Sequence, residues 1–410
     1  MSDPKINPYI KAPSSGPSLP GHGKKVVVAM SGGVDSSVCA AILKKQGFEV
    51  VGIALQTTDY SKYLKDDSGG TCCSIKDMED ARRVAEAIDI PFYVLDTEKT
   101  FDANVVDYFV AEYMQGRTPN PCVMCNTKVK FNHLYRKAMD MGADYIATGH
   151  YAKVSHEPDL GYCLWKARDE QKDQTYFLFN LTQNQLQRTL FPLGNLTKPE
   201  VRKIADELGL PVAVKPDSQE ICFVPQDGYI SFIESRVAPG HMRPGYIVTM
   251  DDRVLGNHAG IYKFTVGQRK GLGEAIMFAK SLHLPYADDL YVTRIDSVTN
   301  KVVVGTEKDL LQSGLIASNV NWISPPDLRQ PKLVQARIRH RSTPMDAELR
   351  LLGDNRIEAR FAEPQRAITP GQACVFYDGN LCLGGGWIQQ TISVADSERP
   401  RKGNTLEMLT

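Results

Sequence analysis

Between Lys24 and Lys45 an unbroken apolar run, Val26-Val-Val-Ala-Met30, passes through Ser31-Gly-Gly33 into helical spacing from about Ser36. A run that is apolar at every position has no polar face, so it reads as a strand buried on both sides, as in a parallel sheet. Such strands need crossover segments to cover them. The chain supplies them up to Ala147. Strands are expected at Val50–Leu55, Phe92–Asp96 and Tyr145–Ala147, with helices over 77–88, 101–115 and 127–140. The alternation predicts an α/β fold whose N-terminal part is a doubly wound parallel sheet. Ligands of such sheets bind beyond the carboxyl ends of the strands.

At 410 residues the chain is too long for one ordinary core. The parallel-sheet domain is expected over 24–222. Beyond 223, Gly and Pro punctuate short alternating runs such as Leu290–Arg294, Lys301–Gly305 and Val334–Arg341. These predict a central β-rich domain over 223–289 and a C-terminal β-barrel over 290–395, followed by a polar tail, 396–410. Residues 1–23 hold five prolines and no apolar stretch for a signal peptide, which reads as a disordered leader. No run of about 18 apolar residues occurs, so no membrane span is expected. A net charge of zero argues against a generic nucleic-acid coat while allowing a local basic patch. Nine cysteines, an odd number, do not suit a secreted disulfide framework. They suit a cytoplasmic chain whose thiols are buried, metal-bound or redox-active. A monomer is the default expectation.

The segment Ala29, Met30, Ser31, Gly32, Gly33, Val34, Asp35, Ser36 sits between strand and helix. Its glycines let backbone N–H groups approach a phosphate, and the helix N-terminus adds positive potential. No Gly-Lys-Ser/Thr ending follows, so it is not a Walker A loop. Read without its context, it would pass for a Gly-rich turn before a Ser-capped helix. The segment resembles the SGGxDS loop of the N-type ATP pyrophosphatases. The resemblance implies that residues 29–36 bind ATP, that Leu55 and Gly149 line the nucleotide, and that Asp35 meets Mg²⁺.

Gly116-Arg-Thr-Pro-Asn-Pro-Cys-Val-Met-Cys-Asn126 is the second informative segment. Pro119 and Pro121 extend the chain, and the apolar spacing of Phe131, Leu134, Tyr135 and Ala138 predicts a helix beginning just after Cys125. A thiol at a helix N-terminus, with Arg117, Lys128 and Lys130 close in sequence, loses its proton more readily. A further thiol, Cys222, lies in Asp217-Ser-Gln-Glu-Ile-Cys-Phe-Val224.

Taken together, the loop, GRTPNPxxxCN, ATGHY, KDQTYFL (172–178), DSQEICF, TVGQRKGLG (265–273), TPGQ (369–372) and CLGGG (382–386) resemble the bacterial and organellar tRNA-specific 2-thiouridylases. The matches run from about residue 24 to 390 in family order. The resemblance implies adenylation of the C2 oxygen of wobble uridine 34 in tRNAs for Lys, Glu and Gln. Sulfur would come from a sulfur-relay protein or cysteine desulfurase and be held as a persulfide on Cys222. Cys125 would resolve the intermediate, leaving a Cys125–Cys222 disulfide. It further implies tRNA contacts at Asn120, Pro121, Cys122, His150, Lys172, Asp173, Gln174, Arg339, His340 and Gln372, with His150 walling the pocket of a splayed-out uridine.

The chain departs from the family at Cys122, where an acid is usual, and at His340, where a tyrosine is usual. The thiols Cys122, Cys125 and Cys222 could hold a [4Fe–4S] cluster with one open iron site; alternatively Cys122 is a spare thiol or a second redox partner of Cys125. Arg337, Arg339 and Arg341 alternate, so a continuous strand would put three guanidinium groups on one face, either solvated or facing phosphates. The basic turn Gly267–Gly271 reads as a phosphate contact or as packing between domains. Cys39, Cys163, Cys374 and Cys382 read as core thiols, and Cys72-Cys73 as a loop pair that could approach the site.

Overall fold

The computed structural model describes residues 21–58, 75–217, 221–225 and 227–397. Most of the leader, the end of the polar tail, Cys72-Cys73 and residues 218–220 of the DSQEICF segment lie outside the described residues. The first sheet has the order β3-β2-β1-β4-β7 and is parallel throughout. Its strands are β1 (Lys25–Ala29), β2 (Glu49–Gln56), β3 (Phe92–Asp96), β4 (Tyr145–Thr148) and β7 (Thr189–Leu190). In β1, Val26 lies opposite Val50 on one side and Tyr145 on the other. Val26, Val27 and Val28 are fully buried, which explains the unbroken apolar run. Val26 and Val28 join the core beneath α1 (Val34–Lys45) and α2 (Ile75–Ala87), whereas Val27 joins the core on the opposite face with Leu134 and Ala138. The strand order reverses between β1 and β4, so a crevice opens where the loops after these two strands diverge.

A hairpin of β5 (Lys153–Glu157) and β6 (Gly161–Trp165) leaves this domain to extend the C-terminal sheet. The central unit is a four-stranded sheet, β10-β11-β8-β9, formed by β8 (Gly245–Thr249), β9 (Val254–His258), β10 (Tyr291–Asp296) and β11 (Lys301–Gly305). The first two strands expected in the C-terminal barrel, β10 and β11, therefore belong to the central unit. The parallel pairing of β11 with β8 settles this, as Val302 lies opposite Ile247. The C-terminal strands are β12 (Leu311–Trp322), β13 (Lys332–Arg337), β14 (Met345–Gly353), β15 (Arg356–Arg366), β16 (Ala373–Asp378) and β17 (Leu381–Ser393). They run β12-β15-β14-β13-β16-β17 and close through β12–β17, a six-stranded barrel. Val123 and Phe131 of the catalytic domain share one buried cluster with Ala373, Val375 and Tyr377 of the barrel. Among the described residues no helix is long and apolar enough to cross a membrane.

Candidate active site

The loop after β1 is folded by its own serines. Ser36 Oγ accepts from Ser31 N at 3.1 Å and donates to the Gly33 carbonyl at 3.2 Å, which also accepts from Ser37 Oγ at 2.8 Å. Gly32 is left-handed (φ +71°), and a Cβ there would lie 2.0 Å from the Asp77 carbonyl. Gly149, after β4, is equally constrained, since its Cβ would come within 2.7 Å of Asp35 C and Ser36 N. The expected nucleotide residues 29–36 and 149 thus meet at the strand-order reversal. The first-turn amides of α1 have no intrahelical acceptor and offer donors to an anion there. Leu55, at the end of β2, packs beside this crevice against the cluster that also carries the thiols.

Charges line the crevice in alternation. Asp35 accepts from Tyr151 Oη at 2.9 Å and from Lys198 Nζ at 2.8 and 2.9 Å. Lys198 also meets Asp217 at 2.8 Å, and Asp217 takes Lys172 and Arg202 at 2.8 Å each. Burial opposes the charge on Asp217, but the bonds from Lys172 and Lys198 outweigh it and hold its pKa down to about 2. Burial followed by the Asp35 charge pushes the Tyr151 hydroxyl far above its ordinary range, so it stays a proton donor to Asp35. Oδ1 is filled by Tyr151 and Lys198 while Oδ2 takes Lys198 alone, so Asp35 keeps one acceptor site for a hard cation such as Mg²⁺, which would draw charge off the phosphates.

The thiol segment departs from expectation. The helix begins at Pro121, with Asn120 Oδ1 accepting from Val123 N at 3.3 Å as its cap. Cys125 therefore sits one turn inside, where a π-helical stretch, Cys125–Leu134, starts; Cys122 occupies the first turn. Wide turns of this kind are frequent at functional sites. Arg117 is spent on Glu112, within 2.8 Å. Cys122 is exposed, while Cys125 and Cys222 are half-buried against the same cluster of Phe101, Phe109, Val129 and Phe232. Among the described residues no group of three His, Cys, Asp or Glu side chains is arranged to hold a metal ion. Cys122, Cys125 and Cys222 form no such group, with Cys122 exposed in the turn before Cys125. Cys39, Cys163, Cys374 and Cys382 are buried in the cores, and burial pushes the thiols of Cys39, Cys374 and Cys382 far up.

The residues expected to touch tRNA gather in one region, but many of their polar groups turn inward. His150 Nδ1 lies 2.7 Å from Thr148 Oγ1, between the rings of Phe131 and Phe191. Burial, then Lys130, drives its pKa well down, so the ring is neutral. Asp173 is buried, accepting from Ala167 N at 3.1 Å, Thr175 Oγ1 at 2.8 Å and Arg337 at 3.4 Å. Gln174 Oε1 accepts from Tyr151 N at 2.9 Å. The expected arginine row is broken because β13 ends at Arg337. Ser342 closes a turn by accepting from Arg339 N at 3.2 Å and from Arg337 Nε through its carbonyl at 2.8 Å. Arg339 spends its guanidinium on the Arg366 and Ala367 carbonyls. His340 packs on Phe177, with ring centroids 4.3 Å apart. Gln372 Nε2 donates to the Thr118 and Pro119 carbonyls at 3.0 Å, clamping the barrel to the thiol segment. In the Gly267–Gly271 turn, Arg269 bonds the Asp288 carbonyl at 2.7 Å, a contact inside the central unit.

Three family models tile the chain: a tRNA methyl transferase HUP domain over 24–226, a PRC-barrel domain over 230–306 and an aminomethyltransferase beta-barrel domain over 312–388. A tRNA-specific 2-thiouridylase MnmA from Geotalea uraniireducens (strain Rf4) is 50% identical over 372 residues, covering 90% of this chain and 96% of that one. The chain belongs to the tRNA-specific 2-thiouridylase family. Family members from Geobacter metallireducens and Clostridium perfringens are 49% and 47% identical, covering 90% of this chain and 98% and 99% of theirs.

Lys198, Lys215 and Tyr151 were not legible as site residues. Tyr151 lies in ATGHY, but its bond to Asp35 is tertiary. Lys198 opens a capping-box helix, Lys198–Glu207, which marks a helix start rather than a function.

Proposed function

We propose that the chain adenylates the C2 oxygen of wobble uridine 34 in tRNAs for Lys, Glu and Gln and replaces that oxygen with sulfur, yielding 2-thiouridine, AMP and pyrophosphate. The observation that carries this reading is that Cys125 and Cys222, far apart in sequence, pack against one cluster together with Leu55 from the nucleotide end of β2. Adenylation turns the inert C2 oxygen into a leaving group, with pyrophosphate departing past the first-turn amides of α1. Sulfur arrives from a sulfur-relay protein or cysteine desulfurase as a persulfide on Cys222. Its terminal sulfur attacks C2 and AMP leaves. The Cys125 thiolate then attacks Cys222 Sγ, breaking the S–S bond so that sulfur stays on the base and a Cys125–Cys222 disulfide remains for an external thiol to reduce. Cys122 stands outside this exchange, and the protein acts in the cytoplasm as a monomer.

Cys125→Ser and Cys222→Ser are each expected to abolish thiolation, read by retardation of the tRNA on an organomercurial gel. Both should retain tRNA-dependent release of pyrophosphate, the step before either thiol acts. Normal thiolation by either variant would sink the reading.

A further inference from the structure

The Gly32 carbonyl, in the middle of the loop after β1, accepts a bond of 3.0 Å from Lys215 Nζ. The described chain contains no cis peptide, and a trans peptide holds its C=O and N–H on opposite sides. The amide joined to the Gly32 carbonyl is the N–H of Gly33. Whatever holds the carbonyl on one side therefore holds that N–H on the other. Between two glycines this peptide rotates with little steric hindrance, so its orientation must be imposed from outside.

Lys215 has three donors, and three acceptors are in place: Gly32 O, Asp77 Oδ1 at 2.6 Å and Asp80 Oδ2 at 2.6 Å. No N–H remains for a phosphate. Burial opposes the ammonium's charge, but the bonds to Asp77 and Asp80 outweigh it and raise its pKa. Asp77 belongs to the residue whose carbonyl forbids a side chain at Gly32, so the brace and the tight turn share one element, α2.

We propose that Lys215 is a positioning residue of the ATP site: it fixes the Gly32–Gly33 peptide so that the Gly33 N–H faces the nucleotide phosphates, with Asp77 and Asp80 bracing the ammonium. The inference rests on residues 29–36 being the ATP loop. It assigns the lysine to the loop's backbone and leaves the phosphates to the amides.

The test is a double-mutant cycle on the full chain, with ATP affinity read by calorimetry. Gly33 is extended at φ −91°, and a Cβ there meets only Ser31 Oγ at 3.7 Å. Gly33→Pro thus deletes the amide for a backbone shift of roughly 25° towards the ring's φ near −65°. Lys215→Met and Gly33→Pro should each weaken ATP binding tenfold or more, and the double variant should bind no more weakly than Gly33→Pro alone. Lys215→Arg should recover part of the loss, and tRNA affinity should stay within twofold in every variant. Asp80→Asn, which leaves the lysine in place, should show a smaller loss in the same direction should Lys215→Met fold poorly. Multiplying effects, or ATP affinity within threefold of wild type in Lys215→Met, would overturn the proposal. Unchanged ATP affinity in both Gly33→Pro and Ser36→Ala would overturn the loop assignment on which it rests.

Discussion

Lys198→Met removes the cation shared by Asp35 and Asp217, and the structure bounds its cost. The Asp217 pKa falls from 3.8 to about 2, which at 1.36 kcal/mol per unit corresponds to about 2 kcal/mol of native-state stabilisation. Lys172 and Lys198 share that effect, so roughly half, about 1 kcal/mol, belongs to Lys198. The paired bonds to Asp35, whose side chain is 32% exposed, add about 1–2 kcal/mol after discounting charge-assisted bonds for solvent. Methionine keeps most of the buried stem, so packing changes little. The expected loss is about 2–3 kcal/mol, or roughly 4–12 °C in the melting of a domain of this size. Because the Asp217 pKa is depressed, its contribution is complete above pH 3.8 and fades as pH falls through about 2. The melting difference should therefore be flat between pH 5 and 8. Calorimetry that resolves the catalytic-domain transition is the assay, since three domains need not melt as one. Asp35→Asn combined with Lys198→Met should recover the Asp35 part, because replacing both partners avoids a stranded charge. A shift below about 2 °C, or a double variant no more stable than Lys198→Met, would refute the reasoning.

Gly371→Ala tests the clamp between barrel and thiol segment. Its Cβ would meet the Thr118 carbonyl at 2.9 Å from a left-handed backbone (φ +91°), so thiolation should fall at least tenfold, for a cost of about 2 kcal/mol or more. Gly379→Ala, also left-handed but with nothing within 4 Å, should leave the rate near wild type. Arg337→Met strands the buried Asp173 carboxylate, a loss of about 3 kcal/mol at neutral pH. Burial raises the Asp173 pKa, so the stranded charge is present above that pKa and disappears as pH falls through it. The melting gap between wild type and Arg337→Met should be wider at pH 8 than at pH 5; a gap that widens in acid would contradict this.

The parallel sheet was legible because it depends on local pattern: a strand buried on both faces has to be apolar at each position, as β1 is. The strand–Gly-Gly–helix junction was legible for the same reason. Where expectation failed, a neighbour or a distant partner decided. Asn120-Pro121 reads as extended chain if each proline is weighed by its stiffness, yet the pair is also a cap followed by a first-turn proline. That second sense moves Cys125 one turn into the helix. The arginine row assumed that alternation implies a continuous strand; Ser342 ends it by turning back on Arg337 and Arg339. β10 and β11 alternate as any barrel strand would, and only their pairing with β8 assigns them to the central unit.

The charges around the crevice pose a harder problem for sequence reading. Asp35 stands in the first turn of α1, Lys172 before the 3-10 turn, Lys198 at a helix start, and Lys215 and Asp217 in the segment that leads to Cys222. None has a spacing that marks it, since a salt bridge needs complementary groups in space and not in sequence. Yet together they tie the chain entering the Cys222 segment to the loop after β1 from two sides, Lys215 through Gly32 and Asp217 through Lys198 to Asp35. The proposed reaction requires that the persulfide reach the same carbon that the nucleotide activates. Anchoring the chain that enters the Cys222 segment to the loop after β1 ties two segments that are far apart in sequence, and motifs read one at a time cannot reveal it.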